Sequence, residues 1–260
     1  MTGTRPGKVY LIGAGPGAPD LITVRGAEIL RRADIVLHDA LVHPDTLALA
    51  VNAEKIAVGK RCGKRSTAQR FINKRLIDAA RRHRVVVRLK GGDPMLFGRA
   101  QEEIAALQEA GIEYEIVPGV TAALAASAEL GVSLTQRGVA RSVAFVTPRI
   151  GANEPQSEWV RSVLAADTAV LYMAGGQAAQ IASALQGAGL PAQTPVVALE
   201  NASLPTARRI TTTLSGLADA VPPESITGPA LILLGEVFRP ADAALENEVI
   251  ELIRAAGSRR

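Results

Sequence analysis

Short runs of β-branched and aliphatic residues recur along the whole chain, and a helix-patterned segment separates most successive pairs. The runs cover residues 9–12, 35–38, 85–89, 114–117, 143–147, 169–173, 196–199 and 230–234. Alternating strands and helices build mostly parallel sheet with helices on both faces, because a parallel pair needs a crossover long enough to hold a helix. Leu21, Val24, Ala27, Ile29 and Leu30 follow helical spacing and predict a helix over 21–33. Ser66-Thr67-Ala68-Gln69 reads as a capping box that opens a helix to about residue 82. Ala-rich 177–186 reads as a helix stopped by Gly187, Gly189 and Pro191. The best internal boundary is Val117-Pro118-Gly119. The expected class is therefore α/β, with two α/β domains at 1–118 and 119–240 and a C-terminal helix with a basic tail at 241–260.

Composition narrows the functional classes. With 48% hydrophobic and 21% charged residues, the 260-residue chain has ample material for a core. Aromatics at 3% argue against a single-strand nucleic-acid platform of stacked rings. One cysteine, Cys62, excludes a disulfide framework and a multi-cysteine zinc site, and His38, His43 and His83 are too few for a histidine-rich metal centre. No apolar run approaches the roughly 20 residues of a membrane span. The chain enters a strand-like run almost at once, which reads as no signal peptide and a reducing cytoplasm. The net charge of +4 hides an asymmetry. Between Lys55 and Lys90 there are 13 Lys+Arg and one acid, Asp78, a local net of +12; the remainder holds 16 bases and 24 acids, a net of −8. Such segregation suits an anionic partner or a solvated basic helix.

The residues with chemical potential stand where strands end. Gly13-Ala14-Gly15-Pro16-Gly17-Ala18 fits a dinucleotide-type turn, and Asp39 ends the next strand. Pro16 and Pro19, however, remove N–H groups that a phosphate-cradling helix start needs. Asp39 points into the crevice where open α/β sheets bind ligands, or else caps a helix. Gly59-Lys60-Arg61-Cys62-Gly63-Lys64-Arg65 brackets cations with glycines, so that Lys and Arg can approach an anion closely. Lys90-Gly91-Gly92-Asp93-Pro94-Met95-Leu96-Phe97-Gly98-Arg99 combines a strand end, an open backbone and a carboxylate. Pro118-Gly119-Val120-Thr121-Ala122 is a turn into a helix with Thr121 at its N-cap, and Met173-Ala174-Gly175-Gly176 repeats the strand-then-glycine pattern. Taken by themselves, these residues leave a nicotinamide-dependent oxidoreductase and a methyltransferase nearly level, with a nucleic-acid protein as a third class.

Together the motifs GAGPG, HDALV, VGKRCGK, RLKGGDPMLFGR, IVPGVTAAL and LYMAG occur in an order and spacing that closely resemble the S-adenosylmethionine-dependent tetrapyrrole methyltransferases, over about residues 8–238. The resemblance implies two α/β domains with the cofactor in the cleft between them, and a homodimer. It implies methyl transfer from S-adenosylmethionine to C-2 and C-7 of uroporphyrinogen III, giving precorrin-2 for sirohaem or cobalamin and S-adenosyl-L-homocysteine as by-product. No metal, nucleic acid or membrane is implied; a later corrin precursor or an RNA substrate is the alternative. By motif match, Pro16, Gly91, Gly92, Asp93, Leu96, Thr121, Ala122, Met173, Ala202 and Ala230 fall at cofactor positions. Asp39 matches the family's proton acceptor and Lys60 its proton donor. The substrate is a polycarboxylate, which assigns Arg61, Lys64, Arg65, Arg99 and Arg137 to its binding. Two family histidines are replaced, by Gln136 and Arg149, and Ala207 stands where a glutamine is common.

Overall fold

The computed structural model describes residues 6–58, 65–149 and 157–240, with side chains of the helix that begins at Arg65 described from Gln69 onward. The expected C-terminal helix and tail at 241–260 lie outside the described residues. Two compact units are present: Met1–Gly131 with Asn201–Arg208, and Val132–Glu200 with Arg209–Arg260. The Val117-Pro118-Gly119 boundary thus falls inside the first unit. The reason is local: Gly119 N–H donates to Asp93 Oδ2 (2.9 Å), which ties this turn to the first sheet.

The first unit carries β1 (Lys8–Gly13), α1 (Val24–Arg31), β2 (Ile35–His38), α2 (Pro44–Ala48), β3 (Glu54–Ala57), α3 (Arg65–Ala80), β4 (Val85–Lys90), α4 (Ala100–Glu109), β5 (Tyr114–Val117) and α5 (Ala122–Leu130). Its sheet runs β3-β2-β4-β1-β5, and every registered pair is parallel. Strand alternation splits the core in two. Val9, Leu11, Ile35, Leu37 and Val86 face α3 and α4, meeting Leu76, Ala79, Ile104 and Leu107. Ile12, Val36, Val87 and Leu89 face α1, meeting Ile29 and Leu30. Arg88 and Lys90 share the parity of Val86, which sends two cations toward α4.

The second unit carries β6 (Val143–Val146), α6 (Trp159–Leu164), β7 (Thr168–Tyr172), α7 (Ala178–Gly187), β8 (Pro195–Glu200), β9 (Arg208–Thr213), α8 (Leu217–Ala220) and β10 (Ala230–Gly235). The sheet order is β6-β7-β10-β8-β9. Here the mostly parallel expectation needs correcting: β6 and β7 are parallel, but β10 is antiparallel to both β7 and β8. The helix α7 carries the chain across from β7 to β8 and leaves a one-strand gap, which β10 fills running the other way. Leu171, Val196, Ala198, Ile232 and Leu234 pack on Ile181, Ala182 and Leu185 of α7.

One alignment device occurs in both units. Asp34, just before β2, accepts from the N–H groups of Arg84 (2.9 Å) and Val85 (2.8 Å) at the start of β4. Asp167, just before β7, accepts from Arg141 N–H (2.8 Å), Ser142 N–H (3.0 Å) and Ser142 Oγ (2.8 Å) ahead of β6. Each carboxylate sets the stagger of a neighbouring strand.

Two local expectations change. The helix expected over 21–33 is α1 at Val24–Arg31, because Pro19–Leu21 forms a separate 3-10 turn and Thr23 Oγ1 caps α1 by accepting from Gly26 N–H (3.2 Å). The capping box at Ser66 is not the start of α3, which begins at Arg65. Gln69 turns inward instead, donating to Asn73 (3.1 Å) and to Glu103 (3.3 Å).

Candidate functional site

Three loops converge at the C-terminal ends of the neighbouring strands β4, β1 and β5. Gly15 and Gly92 exchange backbone hydrogen bonds (Gly15 N to Gly92 O, 3.3 Å; Gly92 N to Gly15 O, 2.7 Å), linking the loops after β1 and β4. Gly119, after β5, closes the junction: a Cβ there would stand 2.3 Å from Gly92 O and 2.7 Å from Gly13 Cα. Only glycine permits this approach. Asp93 locks it, accepting from Met95 N–H (2.7 Å) and Gly119 N–H (2.9 Å) with its two oxygens. This carboxylate, expected as a cofactor contact, is therefore already engaged as a clamp between loops. Gly91 and Gly92 remain open: a Cβ on Gly92 (φ 66°) meets nothing within 4 Å, and one on Gly91 touches only Leu41, at 3.5 Å.

The loop after β1 is also held by Asn201–Arg208. Ser203 Oγ accepts from Ala18 N–H (3.0 Å), and a Cβ on Gly17 would lie 2.9 Å from Leu204 Cγ. Asn201 (φ 55°) and Ser203 (φ 70°) flank Ala202 in the left-handed region, a strained arrangement typical of functional loops. Pro16 sits in the bend next to this contact. The chain does not enter a helix directly after the glycine turn, and the α1 start is capped by Thr23, so the dinucleotide reading loses the bare helix N-terminus it requires.

Asp39 follows β2 with its side chain 30% exposed and pairs with Arg88 Nη2. It is not a helix cap, since α2 begins at Pro44 with His43 at its N-cap. Arg88 is 2% exposed and bonded through each of its three guanidinium nitrogens: besides Nη2, Nε donates to Glu103 Oε1 (2.9 Å), and Nη1 to the carbonyls of Leu37 (3.4 Å) and Leu89 (3.2 Å). Lys90 Nζ donates to both oxygens of Glu103 (3.2 and 3.1 Å). Burial opposes the Arg88 charge, but Asp39 and Glu103 outweigh it and raise the guanidinium above its ordinary value. Burial, reinforced by the charge of Arg88, pushes the Lys90 ammonium below its own. Two buried cations thus balance Glu103 and Asp39, and Asp39 alone of the four reaches solvent appreciably.

This cluster was missed in the sequence, though its signal is present. Arg88 and Lys90 alternate with Val87 and Leu89 in an otherwise apolar strand. Glu103 stands in the inward stripe Ala100, Ile104, Leu107 of α4. Two of the 13 bases in the +12 segment therefore serve the interior of the fold.

The other expected residues are placed as follows. Leu96 N–H donates to Asp93 O (3.3 Å), within the same loop. Thr121 stands at the N-cap of α5 and Ala122 opens it. In the second unit, Met173 follows β7 in the left-handed region (φ 55°) and is 42% exposed, and Ala230 opens β10. Arg137 is exposed on a tight turn closed by Gln136 and Ala140 (2.9 and 2.8 Å). Arg99, also exposed, forks onto Glu102 (2.6 and 2.8 Å). Lys60, Arg61, Cys62 and Lys64 lie outside the described residues, as does the side chain of Arg65. Among the described residues no group of three or more His, Cys, Asp or Glu is arranged to hold a metal ion, and no helix is long and apolar enough to cross a membrane.

Residues 8–218 match the family model Tetrapyrrole (Corrin/Porphyrin) Methylases, and the chain belongs to this family. A Pseudomonas aeruginosa protein named uroporphyrinogen-III C-methyltransferase is 41% identical over 90% of this chain and 95% of its own length. The siroheme synthase of Chromobacterium violaceum is 43% identical over 92% of this chain and 51% of its own length. The chain spans about half the length of the siroheme synthases it matches. Among solved structures, the native form of uroporphyrin III C-methyl transferase from Thermus thermophilus aligns with a TM-score of 0.78 at 39% identity, over 90% of this chain and 99% of that one. A Thermus thermophilus uroporphyrin-III C-methyl transferase complexed with S-adenyl homocysteine aligns at 0.77, with 39% identity over 90% and 99% of the two chains.

Proposed function

We propose that the chain transfers methyl groups from S-adenosylmethionine to C-2 and C-7 of uroporphyrinogen III, giving precorrin-2, the precursor of sirohaem and cobalamin. The observation that carries this reading is the glycine junction of Gly13, Gly15, Gly92 and Gly119 beside the Arg88-bound Asp39, in a chain of the tetrapyrrole methylase family.

The residues present fit the cofactor. The open backbone of Gly91 and Gly92 offers a flat surface that a Cβ would fill, at the strand ends where α/β sheets take ligands. In this reading Pro16, Gly91, Gly92, Leu96, Thr121, Ala122, Met173, Ala202 and Ala230 contact it, with Asp93 holding the loops in register. When bound, S-adenosylmethionine supplies an electrophilic methyl group for in-line attack by an electron-rich pyrrole carbon. Asp39 accepts the proton that the methylated tetrapyrrole releases, Arg88 keeping its carboxylate aimed at the strand end. Lys60 acts as proton donor. Arg61, Lys64, Arg65, Arg99 and Arg137 receive substrate carboxylates; Arg99 exchanges its Glu102 partner to do so. The chain acts as a homodimer in the cytoplasm, a reading its single cysteine suits.

Incubation with methyl-labelled S-adenosylmethionine and anaerobic uroporphyrinogen III, followed by mass spectrometry, tests this directly. Two added methyl groups are expected. None would overturn the substrate assignment. A later corrin precursor is the second reading, supported by the likeness to a cobalt precorrin-4 methyltransferase structure (32% identity, TM-score 0.78). That reading predicts labelling of the later precursor only.

A further inference from the structure

Glu200 ends β8 and is 4% exposed. One of its oxygens, Oε1, receives three donors: Thr227 N–H (2.7 Å), Thr227 Oγ1 (3.2 Å) and Gly228 N–H. These donors belong to residues 226–229, an irregular stretch between the 3-10 turn Pro223–Ser225 and β10. Backbone groups of such a stretch have no ladder to satisfy them, so the carboxylate is their anchor. Two adjacent N–H groups and a hydroxyl converging on one oxygen call for a strong anionic acceptor. Glu200 also stands opposite Ala230 in the register of β8 and β10. The same stretch reaches the loop after β7, since a Cβ on Gly175, two residues past Met173, would meet Ile226 Cγ2 at 3.4 Å.

We propose that Glu200 is a positioning residue for the methyl-donor site, fixing through Thr227 and Gly228 both the start of β10 at Ala230 and the loop that carries Met173. This rests on the reading that Met173 and Ala230 contact the cofactor. The role is indirect: Glu200 sets where other residues stand and takes no part in the transfer. Glu200→Gln keeps the shape and an acceptor oxygen but removes the charge, so all three bonds weaken while the core stays filled.

The test is calorimetric titration of S-adenosylhomocysteine into the wild-type chain, Glu200→Gln, Thr227→Ala, Thr227→Ser and Met173→Ala, with amide exchange at 226–230 and steady-state kinetics. Glu200→Gln is expected to bind about tenfold more weakly and to raise KM for S-adenosylmethionine by the same factor. Its kcat and its KM for the tetrapyrrole stay near wild type, and Thr227 and Gly228 exchange faster. Thr227→Ala weakens binding by about threefold, and Thr227→Ser restores it. Should Glu200→Gln not fold, the Thr227 pair decides. Weak binding in Met173→Ala with unchanged binding in Glu200→Gln and Thr227→Ala overturns the positioning role alone. Unchanged binding in Met173→Ala overturns the cofactor reading beneath it. A fall in kcat with no change in KM for S-adenosylmethionine also counts against the proposal.

Discussion

Gly15 and Gly92 are joined by a reciprocal pair of backbone hydrogen bonds, 3.3 and 2.7 Å, across the C-terminal ends of β1 and β4. The pairing brings a loop from residue 15 and a loop from residue 92 into one surface. Gly119 lies against both strands, so the geometry of three loops depends on the absence of side chains at a few atoms.

Gly119→Ala places a methyl group 2.3 Å from Gly92 O and 2.7 Å from Gly13 Cα, both backbone atoms that cannot swing aside. A loss of about 2 kcal/mol in stability and at least tenfold weaker S-adenosylhomocysteine binding are expected. Gly187→Ala is the opposite case, because a Cβ at this helical position of α7 meets nothing within 4 Å. It should gain about 0.5–1 kcal/mol with binding unchanged. Denaturant melts of both variants, with calorimetry, check the contrast.

Asp93→Asn leaves one acceptor oxygen for two donors, Met95 N–H and Gly119 N–H. One loop contact must go, at a cost of about 1–3 kcal/mol. Thermal melting and S-adenosylhomocysteine titration should both register the loss. A variant with unaltered melting but abolished binding would instead make Asp93 a direct ligand.

Arg88→Met strips Asp39 of its Nη2 partner and leaves Glu103 with Lys90 and Gln69 only. Breaking a buried ion pair from one side costs about 3–5 kcal/mol. Turnover, measured below the melting transition, should fall at least tenfold, because Asp39 is no longer aimed. Arg88→Lys retains charge but not the fork, and is expected to recover stability more than turnover.

Arg141 N–H first, then the hydroxyl and N–H of Ser142, hold the Asp167 carboxyl below its ordinary value. Its contribution is therefore present above the unfolded aspartate value of about 4 and disappears as pH falls through the lower folded value. The stability difference between wild type and Asp167→Ala should be full at neutral pH and close on acidification below about 4. A gap that widened in acid would contradict the hydrogen-bonded carboxylate. Urea titrations at a series of pH values provide the measurement.

All six interior strands were read from sequence, together with the edge strands β5 and β6. Val86, Val87 and Leu89 of β4 and Val196, Val197, Ala198 and Leu199 of β8 are almost wholly buried, so their composition declares them. The strands not read, β3 and β9, are the more polar edge of each sheet, and residues such as Glu54, Lys55, Arg208 and Arg209 are exposed there. An edge strand needs little apolar material, and its pairing comes from the neighbour. For β10, read as a strand at 230–234, only the antiparallel direction was illegible. Its sequence, ALILLG, carries no mark of direction, which follows from the gap between β7 and β8.

The site divided in the same way. The glycine turns, Asp39 and the GGDP motif stood out because special backbone geometry and strand ends leave local marks. Glu200 and Glu103 did not, since each acts on partners 27 and 15 residues distant.

The sequence by itself determined the family, the succession of most strands and helices, and the loops that end at the ligand-binding edge. Each is written in short-range patterns of apolar spacing, glycine and proline. Tertiary structure alone decided which loops touch, that Asp93 clamps Gly119, and that Arg88 serves Asp39 rather than an external anion. Those outcomes depend on the order of strands in the sheet. That order is set by packing between segments far apart in the chain, and no local window of residues contains it.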